Sequence, residues 1–220
     1  MSDLGGLHIV VTGGAGALGR AAVEALSALG ATCHVPRHQE VDLTDEAAVT
    51  AYYQRLPPLW GSVQVAGGYA GGPFAVTSLA DFRRQMEMNL TTCFLCCREA
   101  VRSIGRRAGG PPGGRIINIG SRAALRLGGG AIAYSVSKAG VVALTQCLAD
   151  EVKASRILVN AVIPSIIDTP ANRAAMPGAA QAHGDEWPKP AAIAGAIAWL
   201  ASPANQLVSG ALIPVYGDTT

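Results

Sequence analysis

Residues 7–30 carry the pattern that most constrains how this chain folds. Leu7-His8-Ile9-Val10-Val11-Thr12 is a short apolar, β-branched run, which predicts a buried strand. Gly13-Gly14-Ala15-Gly16-Ala17-Leu18-Gly19 follows at once, and Leu18, Ala22, Ala25, Leu26 and Leu29 then recur at helical spacing until Gly30. A strand, a glycine turn and a helix in this order begin a βαβ unit. Gly14, Gly16 and Gly19 match G-x-G-x-x-G. Glycines at such a turn let the backbone approach a pyrophosphate, whose charge the helix N-terminus favours.

The alternation continues along the chain. Residues 31–35 predict a second strand, and the stretch from Arg37 to Val41 is too short for a helix, so the second crossover is shortened. Thr44 or Asp45 is placed to cap a helix over Glu46 to Arg55. Residues 62–66 predict a strand that runs into a second glycine loop, Gly67-Gly68-Tyr69-Ala70-Gly71-Gly72. A helix is expected over roughly 79–104, a Pro/Gly surface loop over 109–114 and a buried strand over 115–119. Residues 156–163 and 211–216 predict further strands, 190–200 a helix, and 168–187 a loop. The whole chain, 1–220, is therefore expected to be one α/β domain. Its doubly wound, mostly parallel sheet should have roughly seven strands, with helices on both faces.

Composition narrows the function classes. Half of the 220 residues are hydrophobic, only 15% are charged, and the net charge is +2, which is no nucleic-acid footprint. No apolar run reads as a membrane span, and the start, Met1-Ser2-Asp3-Leu4-Gly5-Gly6, lacks a signal-peptide pattern, so a cytoplasmic location is expected. The five cysteines show no secreted spacing. Cys93, Cys96 and Cys97 share a helix without a neighbouring histidine, and His8, His34, His38 and His183 show no ligand spacing, so no metal is expected.

The chemistry points to residues 121–138. Ser121 lies where a strand ends, and Tyr134 and Lys138 are four apart, on one face of a helix. Ligands of open α/β sheets bind outside the carboxyl ends of the strands. A phenol is a poor acid or base at neutral pH, and a nearby cation lowers its pKa. A phenol so placed can protonate a carbonyl oxygen as hydride arrives, while the serine holds that oxygen.

Taken together, these motifs resemble the short-chain dehydrogenase/reductase family over nearly the whole chain. Thr12-Gly13-Gly14-Ala15-Gly16-Ala17-Leu18-Gly19 is similar to its Thr-Gly-x-x-x-Gly-x-Gly loop, with Ala17 replacing the middle glycine. Ser121 keeps the family spacing to Tyr134, Lys138 completes Tyr-x-x-x-Lys, and Asn89 matches the tetrad asparagine. The resemblance implies a single Rossmann-fold domain that moves hydride between a nicotinamide and a small carbonyl or alcohol. Tyr134 would be the general acid/base, Ser121 would orient the substrate oxygen, Lys138 would bind the nicotinamide ribose, and Asn89 would anchor a proton-relay water. It implies cofactor contacts at Gly13, Gly14, Gly16, Ala17 and Leu18, on the loop at Ala66, Gly67 and Gly68, at Tyr134 and Lys138, and at Pro164, Ile167 and Thr169. Asp42 and Leu43 are further cofactor-binding positions that it implies. Arg37 fills the position where an acid would bind the ribose 2′-OH, so NADP(H) is favoured, with NAD(H) open through Asp42 or Glu40.

Departures from the family pattern are equally informative. Gln64-Val65-Ala66-Gly67 replaces Asn-Asn-Ala-Gly, and Pro164-Ser165 replaces Pro-Gly. The shortened crossover, the loop 66–72 and the segment 168–177 resemble the quinonoid dihydropteridine reductase branch, which generally lacks the serine retained here. Three readings follow: a carbonyl or alcohol oxidoreductase, a dihydropteridine-type reductase, or a non-catalytic nucleotide sensor on the same fold. The substrate is expected to be small, largely neutral and cyclic, under a lid carrying Met176 and Trp187, with Tyr69 as a flat wall and Arg122, Arg126 and Arg173 near the mouth. Phe94, Leu95, Val141, Val142, Leu144 and Leu148 are expected to meet another subunit, giving a homodimer or homotetramer.

Overall fold

A computed structural model describes residues 3–218; Met1 and Ser2, read above as part of a leaderless start, lie outside them. Strand β1 (His8–Thr12) and helix α1 (Ala17–Ala28) form where the sequence pattern puts them. Then come β2 (Thr32–His34), α2 (Glu46–Arg55), β3 (Gly61–Gln64), α3 (Leu79–Met86) and α4 (Thr92–Gly105). The second half holds β4 (Gly114–Ile119), α5 (Ile132–Glu151), β5 (Ile157–Pro164), α6 (Pro170–Ala175), α7 (Pro177–His183), α8 (Pro190–Ala201) and β6 (Leu212–Val215).

The sheet runs β2-β1-β3-β4-β5-β6 with every pair parallel. Helices α1 and α8 cover one face, packing Leu18, Leu26, Ile193 and Ile197 on Ile9, Val11 and Ile117. Helices α2, α4 and α5 cover the other, where Tyr53, Cys96 and Val141 meet Val10, Ile116 and Val159. Burial on both faces explains why β1 and β5 read as continuous apolar runs rather than alternating ones. Six strands form among the described residues instead of about seven. The classic doubly wound order puts one more strand outside the second. Here residues 37–41 close a turn on the Arg37 carbonyl, and Asp45 caps α2 by accepting from the Ala48 N–H at 2.7 Å. The chain thus returns to β3 without an outer strand.

Three further expectations change. The helix over 79–104 is broken by a π-helical turn at Glu87–Thr91, which carries Asn89. The loop over 168–187 folds into α6 and α7. Both begin with proline, and Thr169 caps α6 by accepting from the Asn172 N–H at 3.1 Å. By length and composition α5, with mean hydropathy 1.3, does suffice to cross a membrane. Its Ile, Val and Leu residues raise that average, yet Ser135, Ser137, Lys138 and Thr145 are buried on it, and Thr145 Oγ1 accepts from Asn118 Nδ2 at 2.9 Å. It is a core helix of this fold.

Packing also corrects the apolar stripe assigned to a partner subunit. Leu95 and Val141 are buried in the core, and Leu144 and Leu148 pack partly against it, because the wide sheet absorbs them. Phe94 stays exposed, and Val136 on α5 joins it.

Candidate active site

The glycine turn owes its shape to crowding. Gly13 has φ +65°, and a Cβ there would come within 2.8 Å of the Ala66 backbone nitrogen. A Cβ on Gly19 would overlap the Gly13 carbonyl oxygen, so glycine is what lets α1 start this close to β1. The N-cap of α1, Gly16, brings no side-chain cap, and no acid stands in the first turn. The free N–H groups of a helix of 12 residues therefore face a site suited to an anion. Gly13, Gly14, Gly16, Ala17 and Leu18 all lie in this turn. Thr12 Oγ1 links it to the exit of β3 by accepting from the Ala66 N–H at 3.1 Å.

A cleft of about 610 Å³ opens at the carboxyl edge of the sheet. It is lined by Leu18, Gly67, Gly68, Ser121, Tyr134, Lys138, Pro164 and Ile167, all singled out by sequence, and by Tyr69, Arg122, Arg126 and Met176. Ser165, Ile166 and Asn172 also line it; the sequence placed them in the segment after β5 without giving them a role in the site, which only the fold sets. Ser121 is buried just beyond β4, and the phenol of Tyr134 shares a side-chain hydrogen bond with it. Tyr69 meets Tyr134 edge to face, with ring centroids 5.0 Å apart.

Lys138 is buried one helical turn below Tyr134 and donates from Nζ to the Ile119 carbonyl at 2.8 Å. Burial pulls its pKa down to about 8. Burial pushes the Tyr134 phenol up, against the lowering effect of the Ser121 hydrogen bond. The expected lowering of the phenol by Lys138 does not emerge: burial dominates, Ser121 alone opposes it, and Tyr134 stands as a protonated donor at neutral pH.

Asn89 occupies the π turn. Its Oδ1 accepts from the Gly68 N–H at 3.0 Å, and its Nδ2 donates to the Gly68 carbonyl at 3.0 Å and to Ser137 Oγ at 3.2 Å. Gly67, at φ +156°, admits that amide: a Cβ there would lie 2.5 Å from Oδ1 and 3.6 Å from Lys138 Nζ. Ser137, three residues after Tyr134 and so near its face of α5, is the supporting group that sequence reasoning missed.

Other expected positions fall apart from the cleft. Arg37 is exposed beyond β2, with Leu43 partly buried nearby in sequence. Asp42 accepts from the Thr44 N–H at 2.8 Å and Oγ1 at 2.7 Å, which holds its carboxyl below the ordinary value. Thr169 uses Oγ1 as the cap of α6. Arg173 does not line the mouth. Its Nε and Nη2 donate to Asp168 at 2.5 and 3.1 Å, and Lys189 also reaches Asp168. Trp187 is buried away from the cleft and leaves Met176 as the lid's bulky lining group. No group of three or more His, Cys, Asp or Glu side chains gathers as a metal site among the described residues.

A family model described as enoyl-(acyl carrier protein) reductase matches residues 4–217. Cis-4-hydroxycyclohexanecarboxylate dehydrogenase from Sinomonas cyclohexanicum is 35% identical over 190 residues, covering 81% of this chain and 74% of the relative. A short-chain dehydrogenase/reductase from Serratia marcescens has a structure that superposes with a TM-score of 0.87 at 28% identity, covering 98% of each chain. A blue fluorescent protein from a metagenomic library, solved in complex with NADPH, superposes with a TM-score of 0.88 at 30% identity over 99% of each chain.

The lowered pKa of Lys138 implies a stability cost. The unfolded lysine holds its proton to higher pH than the folded one, so the cost is full below about pH 8 and fades as pH rises further. Lys138→Met is therefore expected to be more stable than wild type at pH 7 by on the order of 1 kcal/mol. The gain should shrink between pH 8 and 10. Urea unfolding at pH 7 and 9.5 checks it, and a variant less stable at pH 7 would refute it.

Proposed function

Because this chain belongs to the short-chain dehydrogenase/reductase family and is an NAD(P)-dependent oxidoreductase acting on CH–OH/C=O groups, we propose that it reduces a small cyclic carbonyl, or oxidises the matching alcohol, with Tyr134 as general acid/base. The observation that carries this reading is the Tyr134 phenol hydrogen-bonded to Ser121 in a cleft that Lys138 also lines. The uncapped start of α1 suits the pyrophosphate of the dinucleotide. When bound, the nicotinamide supplies or accepts the hydride.

The chain's own residues do the rest. Ser121 Oγ holds the carbonyl oxygen. Tyr134 donates its phenolic proton to that oxygen, and in the alcohol direction takes it back. Lys138, beneath Tyr134, would hold the nicotinamide ribose and favour the phenolate that forms. Asn89 fixes Gly68 and so the wall of the site. Ser121 is also what favours a ketone over a quinonoid pterin: its hydroxyl already engages the phenol, a contact with no role on a substrate that manages without the serine. The ring alcohol named in the Sinomonas relative agrees with a compact cyclic substrate. Tyr134→Phe should reduce turnover at least ~100-fold while leaving cofactor binding intact. Ser121→Ala should reduce turnover of cyclic ketones by about 10²-fold. Assays with cyclic ketones and with quinonoid dihydropterin test both. Full activity in Tyr134→Phe refutes the acid/base role, and a Ser121→Ala enzyme that stays active on the pterin alone favours the second reading.

We propose NADP(H) as the preferred cofactor, with NAD(H) as the alternative. Arg37 is exposed after β2, whereas Asp42 is engaged by Thr44. Arg37→Glu should weaken NADPH binding about tenfold or more and spare NADH. Fluorescence titration measures this, and tighter NADH binding by the wild type overturns it.

Exposed Phe94 and Val136, on α4 and α5, support a homodimer or homotetramer through those helices. Light scattering at micromolar concentration should give at least twice the chain mass, and a monomer counts against it.

A further inference from the structure

Three cationic side chains line the cleft, Arg122, Arg126 and Lys138, and not one Asp or Glu does. Lys138 is buried and committed to the Ile119 carbonyl. The two arginines follow Ser121 on a single turn of chain. The Ser121 hydroxyl starts that turn by accepting from the Ala123 N–H at 3.2 Å. The Arg122 carbonyl then accepts from the Leu125 and Arg126 N–H groups at 3.0 and 2.8 Å. A closed turn of this length puts residues four apart on one side, so Arg122 and Arg126 face the cleft together.

Their settings differ. The Arg122 guanidinium lies 5.1 Å from the centre of the Tyr216 ring. Arg126 is exposed at the mouth and makes no ion pair among the described residues. With a rise of ~1.5–2 Å per residue, its backbone stands within ~10 Å of Ser121 along the turn. Arg126 and Ser121 therefore line the same cleft close enough for one small molecule to meet both. The opposite chemistry is apolar and flat, from Tyr69, Ile166 and Met176.

We infer that Arg126, with Arg122 beside it, selects substrates that carry a carboxylate about one ring away from the reacting carbonyl. The class is small cyclic keto acids and hydroxy acids, and the inference rests on the carbonyl reading of this cleft. It replaces the largely neutral substrate expected from sequence, which placed both arginines near the mouth but gave them no anion to bind. A carboxylate accepts charge-assisted bonds from a guanidinium and lowers the positive potential of a lining that holds no acid. Arg126 acts in binding and specificity, not in the proton transfer.

The test compares 4-oxocyclohexanecarboxylate with its methyl ester, which keeps the ring and the ketone and removes the charge. Calorimetric titration of the NADP+-saturated protein should show the acid binding about tenfold tighter than the ester. In Arg126→Gln the acid's advantage should fall to within twofold, and Arg126→Lys should restore most of it. Equal affinities in the wild type, an advantage that survives Arg126→Gln, or failure of both compounds to bind overturns the inference. Turnover separates it from the reading beneath it. Arg126-dependent binding of the acid with no NADPH oxidation on either compound upholds Arg126 as an anion site and sinks the ring-carbonyl chemistry. Oxidation on the ester alone does the reverse.

Discussion

The Nζ of Lys138 donates to the Ile119 carbonyl at 2.8 Å, and this contact between α5 and the end of β4 governs the geometry of the site. An ammonium taken out of water needs a partner, and a strand-end carbonyl with no further strand residue to serve is one. Once α5 is pinned there, Tyr134 stands one turn above, facing Ser121 just past the same strand end. A lysine in the middle of an apolar helix looks like a defect in packing, yet its ammonium ties α5 to the end of β4.

The wall around that lysine depends on a second departure from regularity. A π turn inserts an extra residue into what would be one long helix and swings Asn89 inward. The amide then bonds both the N–H and the carbonyl of Gly68 and reaches Ser137 on α5. One side chain thereby ties the loop after β3 to the helix that carries Tyr134. Gly67 has no side chain to spare in that space, which couples the glycine loop, the π turn and α5 into one unit.

The lid is fixed differently, by charge. Asp168 accepts from Arg173 within α6 and from Lys189 just before α8, and its own N–H donates to the Pro188 carbonyl at 3.0 Å. Those cations hold the carboxyl far below its ordinary range, with the Arg173 bond the largest influence. The segment is rich in Ala, Gly and Pro, which offer little core, so an ionic anchor at its base does what burial does elsewhere. It also removes Arg173 from the mouth and leaves Arg122 and Arg126 as the cations there.

By itself the sequence determined the strand–glycine turn–helix start, the parallel α/β alternation, a cap for α2 at Thr44 or Asp45 and the Ser121/Tyr134/Lys138 set. These are local facts: periodicity, turn chemistry and fixed spacing along one chain. Tertiary structure alone decided what depends on residues far apart in sequence. The absent outer strand, the break at Asn89, the burial of Leu95, Val141 and Trp187, and the folding of 168–187 into two helices each turn on what packs against them. The same holds for the two arginines. Their charge is plain in the sequence, but that both line one cleft follows from the turn closed on the Arg122 carbonyl after Ser121.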